Sequence, residues 1–197
     1  LDECLKQDKN SRVAVETFAS KDNITIAGQI TSNSEFNIEK LTREIIKKIG
    51  YDNSKTDIDY RTCNIYTNIT KQSSDIALGV DTGGAGDQGM MFGYASNETE
   101  NYMPYAISVA HRLSQRLTEV RRNGELSYLR PDGKTQVTVE YEDDKPIRIE
   151  TILISTQHTE NADITQLKKD VIEKVINKIV DHNMIDENTK IYINPTG

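Results

Sequence analysis

Cysteine is scarce in this chain: two residues, Cys4 and Cys63, stand 59 positions apart with no second Cys or His at metal-ligand spacing. That argues against zinc and leaves a pair of free cytosolic thiols as the expectation. Positive charge is also short, with 24 Lys and Arg against 31 Asp and Glu and a net charge of −7. A polyanion would be repelled, so nucleic acid and anionic membrane are poor partners. Any bound phosphate needs local Lys or Arg, backbone N–H groups or metal ions. No apolar run approaches the roughly 18 residues that span a bilayer. A signal-like start is missing too: the chain opens Leu1-Asp2-Glu3 inside what reads as a helix, so a preceding segment is expected. Triplets of the glycosylation-acceptor pattern begin at Asn23, Asn68 and Asn97, but chance produces such triplets and no secretory signal accompanies them. With 36% hydrophobic and 28% charged residues over 197 positions, the chain has the composition and length for one globular domain or two.

Periodicity divides the chain into two similar halves. A short helix, Leu1 to about Gln7, precedes strands at Arg12–Phe18 and Asn23–Ser32, with a polar turn at Lys21-Asp22 between them. Apolar residues at 38, 41, 45, 46 and 49 have helical spacing that Gly50 ends, and Thr62–Thr70 returns to strand. The second half repeats the order. A helix is predicted from Tyr102 to about Arg122, with Ile107, Ala110, Leu113, Leu117 and Val120 on one face. A turn at Arg130-Pro131-Asp132-Gly133 leads into Thr135–Tyr141, and a second strand covers Ile147–Thr156. Asp163 is a plausible N-cap for a helix through His182, and Lys190–Asn194 is the last strand.

Short matches support duplication. Val13-Ala14-Val15-Glu16 aligns with Val137-Thr138-Val139-Glu140 at an offset of 124, and Asn64–Asn68 with Lys190–Asn194 at 126. Strands use few residue types, so either match alone could be chance, yet order and offset agree. The expected fold is α+β: repeated α-β-β-α-β units, each a small mixed sheet with helices on one face. The apolar residues left on the opposite sheet face call for a cover, and sheet-to-sheet packing in a homodimer would supply it.

Between the halves, residues 79–89 hold five glycines in eleven positions. Such a stretch is neither helix nor regular strand, and its free N–H groups can receive an anion. It has no Gly-Lys-Ser/Thr and no GxGxxG, so neither common nucleotide loop applies. Composition alone favours a flexible linker.

Gly84-Ala85-Gly86-Asp87-Gln88-Gly89, continued by Met90-Met91-Phe92-Gly93-Tyr94, is similar at every fixed position to the GAGDQGxxxGY signature of the S-adenosylmethionine synthetases (methionine adenosyltransferases). Asn97-Glu98-Thr99-Glu100, Met103-Pro104, Ala110-His111-Arg112-Leu113, Leu129–Lys134, Ser155–His158 and Ile193–Gly197 resemble further landmarks in family order. The resemblance covers the whole chain but about the first half to three-fifths of a typical member. It divides the chain into a first unit at 1–81, an active-site loop at 82–89 and a second unit at 90–197, with the family's third domain absent.

The resemblance implies synthesis of S-adenosylmethionine from ATP and L-methionine. The methionine sulfur attacks C5′ of ATP, the triphosphate leaves, and the enzyme hydrolyses it to phosphate and diphosphate. A thioether needs no general base, so catalysis rests on positioning and on stabilising triphosphate charge. Asp132, Gly133 and Lys134 resemble the ATP-binding triplet, with Lys134 meeting the triphosphate; the bare sequence reads as a hairpin turn with an exposed lysine. Asp87 is implied to line the active site; read without the resemblance, it would cap turn N–H groups. Gln29 and Gln72 correspond to methionine-contacting positions. Glu16 corresponds to a potassium ligand, where the residue alone reads as a solvated strand carboxylate. Mg²⁺ and K⁺ are the implied cofactors, a homodimer or dimer of dimers with its active site at the subunit interface the implied assembly, and the cytoplasm the implied location. His111, His158 and His182 are read as structural.

The pattern departs from the family in four ways. The His-Pro-Asp-Lys motif, with a catalytic His and a magnesium-binding Asp, is missing. So is everything after Gly197, including the other magnesium ligand. The loop after Asp81 is short. Gln29 stands where the family usually has Glu, and a neutral amide cannot pair with an ammonium as a carboxylate does; Ser74 replacing the usual Pro is milder. These departures keep a second reading open: an inactive piece or non-catalytic subunit that dimerises through its sheet. An unrelated nucleotide-binding module would make the signature an accident.

Overall fold

A computed structural model describes residues 1–52, 58–73, 79, 83–85 and 88–196. Its contacts divide the chain into two units, Leu1–Met91 and Phe92–Gly197. No helix among the described residues is long and apolar enough to cross a membrane.

The first unit runs α1 (Asp2–Gln7), β1 (Arg12–Ser20), β2 (Asn23–Thr31), α2 (Ile38–Ile49) and β3 (Asn64–Thr70). β1 and β2 form an antiparallel hairpin from Arg12↔Thr31 to Ser20↔Asn23, turning at Lys21 with φ 50°. β3 lies parallel to β2, from Asn23↔Asn64 to Gln29↔Thr70. Parallel neighbours need a crossover, and α2 supplies it. This helix is closed at both ends: Asn37 accepts the Lys40 N–H at 2.8 Å, and Gly50 terminates it with φ 115°. Arg43 ties it down by donating to the carbonyls of Tyr60 (2.8 Å) and Cys63 (3.2 Å).

Strand alternation assigns the two sheet faces. Val15, Ile24, Ile26, Ile65 and Ile69 join Ile46 and Cys63 in a small core. A cavity of about 620 Å³ interrupts it, lined by Val13, Ile30, Phe36, Leu41 and Ile45 among others. Cys4 and Cys63 are both free and buried, 1% and 2% exposed. The other face is open and includes Phe18 and Tyr66, 69% and 56% exposed.

The second unit repeats the architecture with a fuller core. It runs α3 (Tyr105–Arg122), β4 (Leu129–Glu142), β5 (Lys145–His158), α4 and β6 (Lys190–Ile193). α4 comprises Ile164–Val171, a π-helical turn Ile172–Ile176 and a closing turn Asn177–Ile179. β4 and β5 are antiparallel and β5 and β6 parallel, in the order β4-β5-β6 that mirrors β1-β2-β3. Asp143 and Asp144 both have positive φ, 48° and 60°, as a tight two-residue hairpin requires. Asp163 caps α4 by accepting from Thr165 and Gln166. Leu113, Leu126, Leu129, Ile149, Ile152, Ile154, Leu167 and Ile176 are essentially inaccessible. The α+β class and the repeated unit are therefore present as expected.

Several details differ. α3 starts at Tyr105 rather than Tyr102 because Pro104 disfavours helical backbone at the residue before it. Ile107 is 39% exposed, and Val109 takes the core position instead. The last helix ends at Ile179, short of His182. Arg130–Gly133 is not a turn but part of β4. Leu129 pairs with His158 and Gly133 with Thr156, so Arg130, Pro131 and Asp132 bulge opposite Gln157 alone. Pro131, which has no N–H to offer a ladder, is tolerated there.

Candidate functional site

In the first unit, Gln29 and Glu16 occupy the open sheet face. Gln29 pairs with Ala14 and Thr70, and Glu16 with Ala27. They are therefore diagonal neighbours, about 7–8 Å apart along such a ladder. Neither side chain forms a hydrogen bond or ion pair with another described residue, which leaves both free for ligands. Gln72 follows the end of β3, and its Oε1 accepts from Arg12 Nε at 3.1 Å. Arg12 has the same strand parity as Glu16, so the Arg12–Gln72 pair stands at the end of the face that carries Gln29 and, at mid-strand, Glu16. Sequence reading missed Arg12; its parity with Glu16 was the available signal, but the link to Gln72 spans 60 residues.

Gly28 makes this arrangement possible. It has φ +145°, and a Cβ there would lie 2.1 Å from the Ala14 carbonyl oxygen and 2.8 Å from Val15 Cα. Only glycine admits this approach of β1 to β2, and the next residue is Gln29.

In the second unit, the bulge sets Asp132 and Lys134 beside an open cavity of about 330 Å³, which Ser155, Thr156, Gln157, His158, Asn194 and Thr196 complete. Bulges re-aim side chains next to the pairing they interrupt. Lys134 pairs with Ser155, points away from the core, and has no partner among the described residues; the same holds for Asp132. Gly133 faces the core, where a Cβ would make an ordinary 3.6 Å contact with Leu117 Cδ1. Its glycine identity therefore has no backbone cause. Asn194, φ 43°, exchanges two hydrogen bonds with Thr156, accepting its N–H at 2.8 Å and donating to its carbonyl at 3.0 Å. His158, expected to be structural, lines this cavity while its Nδ1 lies 2.9 Å from the Thr159 carbonyl. Only the β4–β5 register reveals its position, and sequence spacing does not.

The glycine-rich segment is described in part. The Gly84 N–H donates to the Gly79 carbonyl at 3.0 Å, and a Cβ on Gly84 would meet that oxygen at 2.6 Å. Asp87 lies outside the described residues. Met91, Phe92 and Tyr94 are 93%, 88% and 78% exposed. Among the described residues no three His, Cys, Asp or Glu side chains converge as a metal site. Glu16 therefore belongs to no such group among the described residues.

Comparison with known proteins agrees with the motifs. The family models for the N-terminal and central domains of S-adenosylmethionine synthetase match residues 1–74 and 82–197. The chain is 53% identical to an S-adenosylmethionine synthase of Clostridium tetani, covering 100% of this chain and 54% of that protein. It is 51% identical to those of Brachyspira hyodysenteriae and Finegoldia magna, covering all of this chain and 53% and 54% of theirs. The chain thus spans about half the length of the curated relatives it matches. With both domain models matched in order around a repeated α-β-β-α-β architecture, the chain belongs to the S-adenosylmethionine synthetase family.

Proposed function

We propose that this sequence forms the first two domains of a methionine adenosyltransferase, joining ATP and L-methionine into S-adenosylmethionine with release of phosphate and diphosphate. The observation that carries this reading is Lys134: an unpartnered ammonium beside an open polar cavity, within the motif order of a chain that matches both family domains. Lys134 supplies a point charge to the departing triphosphate, and Asp132 holds the nucleotide in register. Asp87 is assigned to the active site by its place in the signature motif alone. The methionine sulfur attacks C5′ directly and gives up no proton, so none of these residues acts as a base.

Gln29 and Gln72 receive methionine on the open face. Glu16 would contribute one carboxylate to K⁺, which would supply a fixed positive charge when bound. Mg²⁺ is a cofactor of the overall reaction, and among the described residues no group of three His, Cys, Asp or Glu side chains converges to hold it. The open faces, with Phe18 and Tyr66 exposed, pack sheet to sheet in a dimer or dimer of dimers in the cytoplasm. A monomer by light scattering at micromolar concentration would exclude that assembly.

The test is product formation from ATP, methionine, Mg²⁺ and K⁺, with intact mass measured on the same sample. Stoichiometric S-adenosylmethionine, phosphate and diphosphate are expected from an active protein. An inactive protein of 22.3 kDa would favour the second reading, a non-catalytic piece that dimerises through its sheet.

Gln29 gives a sharper expectation. A carboxylate pairs with the methionine ammonium through a charge-assisted bond roughly twice as strong as a neutral one. Gln29→Glu is therefore expected to tighten methionine binding about tenfold, equivalent to about 1.4 kcal/mol. Isothermal titration with methionine decides it, and unchanged affinity would remove Gln29 from the methionine site.

A further inference from the structure

The bulge that carries Asp132 needs fixed ends, because three residues with no ladder partner have many conformations available. Its downstream end is fixed by the Gly133↔Thr156 and Lys134↔Ser155 pairs. Its upstream end has the Leu129↔His158 pair and, at the residue just before it, a second tie. The Tyr128 hydroxyl donates to Asp170 Oδ2 at 2.7 Å, a bond across 42 residues from the start of β4 to α4. The Tyr128 carbonyl accepts the Thr159 N–H at 2.9 Å, so the same residue also grips the chain leaving β5.

Asp170 is 8% exposed, and a carboxylate so placed is costly unless it is satisfied. Gln166 Nε2 donates to its Oδ1 at 3.1 Å, and Lys174 Nζ lies 3.6 Å from the same oxygen. Every partner of Asp170 except Tyr128 belongs to α4 itself. The Tyr128 bond is thus the only one of the set that leaves the helix. The π turn starts two residues later, and Leu167, Val171, Val175 and Ile176 all reach 0% exposure on the core side of α4. The helix is therefore a rigid anchor. The hydrogen bond from Tyr128 holds the Asp170 carboxyl below the usual carboxylate range, while burial and Asp170 raise the Tyr128 phenol.

We infer that Tyr128 and Asp170 form a positioning pair that pins the upstream end of the Arg130–Asp132 bulge to α4 and so sets the aim of Asp132 and Lys134. Neither residue lines the cavity beside Lys134. The pair's consequence for catalysis rests on the ATP reading above, but its effect on the bulge does not.

Amide hydrogen exchange of the full 197-residue chain separates the two. In Tyr128→Phe and in Asp170→Ala, the amides of Gly133, Lys134 and Thr159 are expected to exchange about tenfold faster, while those of Val137–Tyr141 keep their rates. Asp170→Asn, which retains an acceptor oxygen for Tyr128, is expected to stay near the parent. Affinity for ATP, measured by titration, is expected to fall about fivefold in the first two variants and to be retained in the third. Unchanged exchange at the bulge, or an equal rise throughout β4 and β5, would overturn the positioning role. Selective loosening in a chain whose parent binds no ATP would keep the positioning pair and remove the ATP reading.

Discussion

Gly28→Ala is expected to unfold the first unit. The added methyl would sit 2.1 Å from the Ala14 carbonyl oxygen and 2.8 Å from Val15 Cα, both backbone atoms, at a φ of +145° that an L side chain rarely adopts. No rotamer relieves such a clash; β1 must move. Gly28 pairs with Val15 on one side and Ile69 on the other, so a shift of β1 breaks its ladder with the central strand of a three-stranded sheet. The cost belongs with the largest single-site effects, more than about 4 kcal/mol. The small core around Ile24, Ile26 and Ile46, already interrupted by a cavity, has little to offset it. Gly133→Ala is the control, since its methyl would find 3.6 Å of clearance from Leu117 Cδ1; it is expected to change stability by less than about 0.5 kcal/mol. Urea titration followed by circular dichroism distinguishes them. An unshifted first-unit transition in Gly28→Ala would mean that β1 can yield.

Lys134→Met is expected to remove most of the affinity for the triphosphate while leaving the fold intact. Its ammonium has no partner among the described residues and its side chain is exposed beside the cavity, so the native structure loses no bond. A hydrogen bond to a charged group contributes about 1.5–3 kcal/mol, which corresponds to a loss of roughly 10- to 150-fold in affinity. Tripolyphosphate titration with thermal unfolding in parallel reads both effects. Unaltered affinity in a stable variant would take Lys134 out of the phosphate site.

Where local chemistry decided structure, the sequence was a good guide. α2 ends at Gly50, where its spacing predicts a stop. The Asp143-Asp144 hairpin and the Asp163 cap are equally local. The repeated unit was readable because the order of its elements recurs, with two short matches at offsets of 124 and 126. The bulge was not: Arg-Pro-Asp-Gly has the composition of a turn, and only Thr156 and His158, more than twenty positions away, draw it into a strand. The site divides in the same way. Glu16, Gln29, Gln72, Asp132 and Lys134 could be named from motifs. That the first two share a sheet face follows from the β1–β2 register, and the partners Arg12 and Asp170 follow only from contacts across 60 and 42 residues.

The two buried thiols have a practical consequence. Cys4 and Cys63 both belong to the first unit, and the chain has no other cysteine. A thiol reagent can reach them only when that unit opens, because they are 1% and 2% exposed in the native state. Labelling rates therefore time the opening of one half of the molecule while the other half stays silent, with no engineered probe required.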